Sequence, residues 1–538
     1  MDNIGAFLRK PRHMIGRDPG LNDPNPRTLS NLYGLPSLHA ALLLASFAVL
    51  SLCVFRFGSY FALAGIAMLG IIILGIIRPN LATYAVIFIL YANLADVAYT
   101  FHGVPKPIAA SVILLLGVPL ASLVVLHRGR IVFDRVFILM VLFLLALTVS
   151  ALVAIDKMIA LSSIADYLVE GLILYILVVN VVRDLPALRK VLWTMLMAGS
   201  LMGGLSLYQE VSHTQNNNYG GMAQMGGVFS VDEVGGEKVL RQRSAGPIGE
   251  KNRYAQVLLV LLPLALLRFW GEQSKILRGI AIGAAFLILS GILLTFSRGA
   301  FVGIVFITLL MVYMRYIKLQ QVFVFSLLFA LVLFLVVPDF AVRIQSFASA
   351  ESLLSDQGAA QTDYSLRNRF AENLAALHAF LDHPLIGVGP GQYPVFYSTE
   401  YVNKLGMVNQ DQNRRAHNLY LELAAETGIL GILIFLVILS SITWPLWKIS
   451  RRWSFEYPDL ANIASSFVLS MFGYMVTGVF LQLAFQRYFW ILIALSSATI
   501  RVLVKEGADR TAARESLSSL EGEELSESAR LTLNGAGA

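Results

Sequence analysis

Apolar runs of about 17 to 21 residues recur along most of this chain, each long enough to cross a hydrocarbon layer of about 30 Å as a helix. Short polar breaks separate them. The pattern predicts spans at 38–55, 59–77, 80–99, 108–126, 133–153, 164–182, 191–208, 254–270, 276–296, 299–315, 319–337, 418–443, 460–482 and 485–504. The fold class is therefore all-α: a polytopic integral membrane protein of about 14 transmembrane helices with a large, partly helical external loop. Two polar interruptions are too long to be turns. They divide the chain into a tail (1–37), an N-terminal bundle (38–208), a first long loop (209–253), a helical group (254–337), a large loop (338–417), a C-terminal helical group (418–504) and a second tail (505–538).

Composition agrees, since mean hydropathy is +0.69 and only 14% of residues are charged, against about 25% in soluble proteins. The net charge of +7 is no nucleic-acid footprint, because the basic residues fall at helix ends and form no single patch. Cys53, the sole cysteine, lies in the first apolar run, so no disulfide framework is expected. The first 37 residues are polar, with Arg9, Lys10, Arg12, Arg17 and Arg27, and read as a retained cytoplasmic tail. With that tail inside, 25 of the 41 Lys and Arg residues fall on the cytoplasmic side. Both termini are then cytoplasmic and both long loops are external. The 505–538 tail is Ser/Glu-rich and expected to be disordered. Within the large loop, Phe370, Leu374, Leu377 and Leu381 recur at helical spacing after a cap at Asp363 or Ser365. Pro384 and the Gly387–Gly391 run end that helix.

Four groups of residues in or beside the outer loops can carry chemistry. His417-Asn418 precedes Gly428-Ile429-Leu430-Gly431 by nine residues, where the large loop meets an apolar helix. On a helix, His417 shares a face with Leu421, Ala424, Gly428 and Gly431, and small residues there admit another helix. Histidine can take a proton from a hydroxyl at neutral pH; its plainer role is a polar cap. Arg298, in Thr295-Phe296-Ser297-Arg298-Gly299, is the basic residue of a short external turn. It either snorkels to water or offers a planar fork to a diphosphate. Arg369 begins the loop helix, with Arg367 competing for the same role. Arg243, Asn252 and Arg253 close the first long loop, where Asn252 also reads as a helix cap. The Gly387–Gly391 run lacks the Lys-Ser/Thr of a phosphate-binding loop and follows a helix. No metal-ligand cluster appears in the outer loops, so neither a catalytic metal nor a cofactor is expected. Asp96, Asp166 and Glu170 lie inside predicted spans, are costly in lipid, and should face the bundle. A transporter uses such acids, which keeps that class open.

The pattern His-[Asn/Ser/Gln]-x9-Gly-x-x-[Gly/Thr/Tyr] at His417–Gly431 resembles the signature of the bacterial O-antigen ligase and polymerase family. Ser297-Arg298-Gly299 resembles that family's Ser-Arg-Gly element. The stretch from Arg369 to His383-Pro384-Leu385-Ile386-Gly387-Val388-Gly389 is similar to its Arg-x3-Trp helix and following His-Pro turn, with Asn373 in the tryptophan's place. Arg243 to Asn252 resembles its entry into the next helix, with Lys251 for proline. The resemblance implies an inner-membrane, metal-independent, inverting glycosyltransferase whose active site faces the periplasm. The implied donor is an undecaprenyl-diphosphate-linked oligosaccharide, its diphosphate held by Arg298 and Arg369, and His417 is the base for the acceptor hydroxyl. Arg243, Arg367, Asn252, Arg253 and Asn418 are secondary candidates. Implied partners are the lipid-linked glycan, membrane lipid and a chain-length regulator, with no nucleic acid. Fourteen spans and two tails favour a polysaccharide polymerase over a ligase. The alternative from another class is a lipid-linked oligosaccharide flippase or other transporter.

Overall fold

The computed structural model describes residues 59–535 apart from 127, 233–237, 325, 328–358, 402–403, 405–413 and 483–486. The chain divides into two units, Met1–Gly65 and Ile66–Ala538, and the second holds the helical bundle. Its helices are α1 (Ser59–Ile77, which begins in the first unit), α2 (Pro79–Tyr91), α3 (Leu94–His102), α4 (Lys106–Val125), α5 (Arg135–Ala151), α6 (Lys157–Val181) and α7 (Leu185–Val211). A hairpin follows, β1 (Gln224–Asp232) and β2 (Lys238–Gly246), and then α8 (Lys251–Gly271), α9 (Lys275–Leu294) and α10 (Arg298–Tyr313). The large loop holds α11 (Ala359–Asp382), and α12 (Leu419–Arg452), α13 (Pro458–Phe480) and α14 (Arg487–Gly535) complete the chain.

Among the described residues, eight helices are long and apolar enough to cross a membrane, or nine if α2 and α3, bent by 55°, count as one broken span. The polytopic helical class is as the apolar pattern predicts; the described helices support eight or nine spans where about fourteen were expected. The expected spans 59–77, 133–153 and 299–315 are helical, but their apolar stretches are short: Leu63–Ile77, Arg135–Ala151 and Arg298–Tyr313. The expected 38–55 span and most of 319–337 lie outside the described residues.

The centre of the bundle is α8, hydrophobic on all sides and buried from Tyr254 to Ala265. Such a helix belongs in a core. Polar side chains tie it to α13: Gln256 donates to Thr477 Oγ1 at 2.7 Å, and Ser470 Oγ donates to the Val260 carbonyl at 2.6 Å. Rings of Phe143, Tyr167, Phe489, Phe435 and Trp490 join α5, α6, α12 and α14, with neighbouring centroids 4.7–6.5 Å apart. Off-parallel pairing of this kind suits the ring quadrupoles.

Three features depart from the sequence reading. The first long loop contains an antiparallel hairpin, with register irregularities between Gln224 and Val228; the alternation in Lys238–Ser244 is too short and mixed to announce a strand. The loop helix α11 forms where expected but turns its alanines inward. Ala375, Ala376 and Ala379 are buried, whereas Phe370 (71% exposed) and Leu381 (59%) face outward. The tail expected to be disordered continues α14 through Gly535. It contains no proline, and the Glu506–Arg510 pair has the i,i+4 spacing that supports a helix.

The large loop meets the membrane helices at a break in α12. α12 breaks at Gly428, where φ is +63° and ψ −164°. Backbone groups around the break are taken up by the Pro384–Gly389 turn. Ile429 N–H donates to the Pro384 carbonyl at 2.8 Å, Val388 N–H to Ala425 at 2.9 Å, and Gly389 N–H to Glu426 at 3.0 Å. In a span, unpaired backbone is tolerated only where protein re-satisfies it. A Cβ at Gly428 would sit 2.3 Å from the Leu385 carbonyl carbon. The motif glycine serves this break and a loop's close approach, where the spacing suggested packing of a second helix. Gly428→Ala therefore meets both left-handed strain and a backbone clash. It is expected to cost more than about 2 kcal/mol, read as a lower midpoint of thermal unfolding in detergent and loss of monodisperse protein. A wild-type melting profile would show that the junction can relax.

Candidate functional site

His417 is not on the helix. It has a positive φ of 49° and immediately precedes α12. The cap is Asn418, whose Oδ1 accepts from the N–H groups of Tyr420 at 3.0 Å and Leu421 at 3.1 Å. The capping role considered for His417 thus falls on its neighbour, which leaves the imidazole free of it. Glu422 ties down the strand leading into His417. Its Oε2 accepts from Ala416 N–H at 2.9 Å, and its Oε1 accepts from Arg415 Nε at 2.8 Å and from Arg415 Nη2.

The partner facing the imidazole comes from α11. His417 Nε2 lies 3.8 Å from Glu372 Oε2, with His417 32% exposed and Glu372 1%. Arg414 Nη1 donates to the other oxygen, Glu372 Oε1, at 3.2 Å, while Oε2 has no hydrogen-bond partner among the described residues. Burial pushes the Glu372 carboxyl up to about 7, against the pull of Arg414 and Arg369. Burial, and next the Arg369 guanidinium, hold His417 below the ordinary histidine value. Its neutral, proton-accepting form thus persists across the neutral range.

Arginines from three elements share one neighbourhood, and one of them, Arg369, acts on both His417 and Glu372. Arg243, on β2, donates through Nε to the Thr295 carbonyl at 2.8 Å and through Nη2 to Phe296 at 2.6 Å. It thereby fixes the turn whose next residues are Ser297, the N-cap of α10, and Arg298. Burial lowers its pKa to about 10, Glu250 opposes this, and Arg298 and Arg369 reinforce it, which puts the three arginines in one electrostatic neighbourhood. Among the described residues neither Arg298 nor Arg369 forms an ion pair or a side-chain hydrogen bond. Like charges held together without carboxylate partners are costly unless an anion arrives, and guanidinium forks suit phosphate oxygens.

The remaining candidates have structural parts. Asn252 is not the cap of α8; Glu250 is, with Oε1 accepting from Asn252 N–H at 3.0 Å and Oε2 from Arg253 N–H at 2.7 Å. Arg253 lies within electrostatic reach of Glu250, Arg415 and Glu422. Lys251, in the place of the family's proline, donates to the Gly226 carbonyl at 2.8 Å and ties α8 to the hairpin. The side chain of Arg367 lies outside the described residues. Glu372 and Arg415 were not singled out from the sequence. The available signal for Glu372 was an acid one helical turn after Arg369, on the side of α11 that carries the alanines.

His417 thus stands beside a buried acid and near Arg369, which has no ion-pair partner among the described residues, at the mouth of a helical membrane bundle. Residues 283–436 match the family described as O-antigen ligase, a stretch that contains Arg298, Arg369, Glu372, His417 and Gly428. The segment is similar to an O-antigen ligase domain and lies within a multi-pass membrane protein. A curated relative, the teichuronic acid biosynthesis protein TuaE of Bacillus subtilis (strain 168), is 28% identical over 153 residues. That similarity covers 27% of this chain and 30% of the relative.

Proposed function

We propose that this chain is a membrane glycosyltransferase of bacterial polysaccharide synthesis, moving oligosaccharide from an undecaprenyl-diphosphate donor to an acceptor hydroxyl. The observation that carries the reading is a histidine kept neutral by burial and Arg369, with Arg369, Arg298 and Arg243 in one electrostatic neighbourhood and Arg298 and Arg369 without carboxylate partners among the described residues. His417 takes the acceptor's proton as the oxygen attacks the anomeric carbon. The bond from that carbon to the phosphate oxygen breaks on the opposite face, so the centre inverts. The lipid diphosphate leaves with the electron pair, and Arg298 and Arg369 neutralise the growing charge. The leaving group is already good, so one base and fixed cations suffice without a metal.

Three functions remain distinct within this frame: a polymerase, which we favour, a ligase, and from another class a flippase. The match to the O-antigen ligase family and the name of the teichuronic acid relative both support polysaccharide assembly over transport. Both termini in the cytoplasm and the His417 loop in the periplasm complete the proposed topology of an inner-membrane protein. Deletion separates the functions by what accumulates. Loss of a polymerase is expected to leave acceptors with at most one repeat unit and single-unit carrier outside the cytoplasmic membrane. Loss of a ligase leaves long chains on the polyprenyl carrier. Single units stranded where an added lectin cannot reach them would overturn the enzyme reading. Purified activity is expected to survive EDTA, and chelator sensitivity reversed by Mg²⁺ or Mn²⁺ would contradict the metal-free site.

A further inference from the structure

A cavity of about 460 Å³ opens beside α3, the start of α4, α6 and the Pro247–Ile248 end of the hairpin, a volume in the range of small-molecule sites. The three acids that the sequence leaves inside predicted spans, Asp96, Asp166 and Glu170, all line it, with Lys106 and Arg487. We propose that this cavity is a saccharide subsite, binding a neutral glycan of the substrate through its hydroxyl groups. The proposal rests on the glycosyltransferase reading above and adds to it a second place where sugar is held.

Arg487 organises the cavity wall. It is only 7% exposed, and its Nη2 donates to Asn93 Oδ1 and Asp96 Oδ2, while Nη1 lies 3.9 Å from Glu170 Oε1. Its Nε is buried with no partner among the described residues. Asp166 and Lys106 face each other across the wall and are both solvent-exposed. Neither forms a side-chain hydrogen bond among the described residues, so their polar atoms are available to a ligand.

The lining chemistry selects the ligand class. Three carboxylates against two cations disfavour a polyphosphate, and the described acids are not placed to share a metal ion. Sugar hydroxyls suit both signs, donating to carboxylates and accepting from Lys106 and Arg487. The exposed rings of Tyr99 and Phe101 offer apolar faces to sugar C–H groups. Two irregular elements border the space. Asn93 breaks the helix between α2 and α3, and residues Tyr167–Ile173, which include Glu170, are π-helical. Such insertions recur where a side chain must be aimed at a ligand.

The cavity is also within glycan reach of the arginine group formed by Arg243, Arg298 and Arg369. Arg243 belongs to the cationic group, and Pro247, four residues on, lines the cavity. Four residues span at most about 14 Å even when fully extended.

The test uses the full-length protein in lipid nanodiscs and an array of defined neutral and uronic-acid oligosaccharides. Wild type is expected to bind neutral glycans. Asp166→Asn, which is isosteric, and Tyr99→Ala should each weaken binding by about tenfold, or 1.4 kcal/mol, without altering thermal stability. Arg298→Ala should leave that binding unchanged. In turnover assays the same cavity variants raise KM for one substrate only. An effect on the acceptor places the accepting glycan in the cavity, and an effect on the donor places the transferred unit there. No glycan binding by wild type, unchanged binding in both cavity variants, selectivity for uronic-acid glycans, or loss of binding in Arg298→Ala would overturn the inference. Cavity-dependent binding without any transfer supports the subsite and removes the transferase reading instead.

Discussion

Replacing His417 with alanine is expected to lower turnover by about 10²–10⁴-fold, the usual contribution of a positioned base, while membrane insertion and donor binding persist. The imidazole lies 3.8 Å from Glu372 and away from the cap hydrogen bonds that Asn418 makes. Removing it takes away a proton acceptor and little packing. Only neutral imidazole accepts a proton, and burial with Arg369 holds its pKa below 6.5. Turnover should therefore be retained as pH falls to that value and decline only further into acid. Glu372→Gln gives two readouts of opposite sign. Glu372 titrates near 7; above that pH it is ionised and favours the imidazolium formed on proton uptake. The glutamine variant should lose turnover mainly above pH 7, on the order of tenfold if one pKa unit of base strength is lost. For stability the sign reverses. The raised folded-state pKa gives stability that is full below the unfolded value and lost as pH rises through about 7. The variant should thus be less sensitive to alkaline unfolding than wild type. A fully active His417→Ala enzyme, or an unchanged Glu372→Gln pH profile, would remove the pair from the mechanism.

The helices were largely legible because a bilayer imposes length and polarity on every span, and runs such as 254–270 can serve little else. Arg298, Arg369 and His417 could be singled out as candidates because charged groups beside apolar runs or at the start of a loop helix are few and each needs a reason. The junction at Gly428 was not. A glycine among small residues reads as helix packing, and its positive φ becomes visible only once the Pro384–Gly389 turn supplies hydrogen-bond partners from forty residues away. The inward face of α11 was hidden for a related reason. Periodicity marks the helix, but small alanines permit the close approach that buries Glu372, while Phe370 and Leu381 point outward. Asp96, Asp166 and Glu170 could be marked individually as costly in lipid. Their convergence on one cavity, with Asp96 and Glu170 meeting Arg487 there, depends on a break at Asn93 and a π-helical turn, which no apolar pattern encodes.

Arg298→Ala is expected to lower transfer by on the order of 10²–10³-fold, the loss seen when one fixed group stabilising developing negative charge is removed. Arg298→Lys should fall between, because it keeps the charge and loses the planar two-point fork. Arg369→Ala should weaken donor use comparably and also change the pH profile, which separates the two arginines. Arg369 is among the charges that depress the His417 pKa. Without Arg369 the imidazole protonates at higher pH, so the acid limb of the rate profile should move upward toward 6.5. In Arg298→Ala it should stay in place while KM for the donor rises. Arg369, not Arg367, has the spacing to His383 that matches the family's loop helix, so Arg367→Ala should have the smaller effect. An inactive Arg367 variant beside a normal Arg369 variant would show that the wrong side of α11 has been assigned to the diphosphate. An acid limb that fails to move in Arg369→Ala would show that His417 does not sense this cation, and the link between charge neutralisation and base strength would fall.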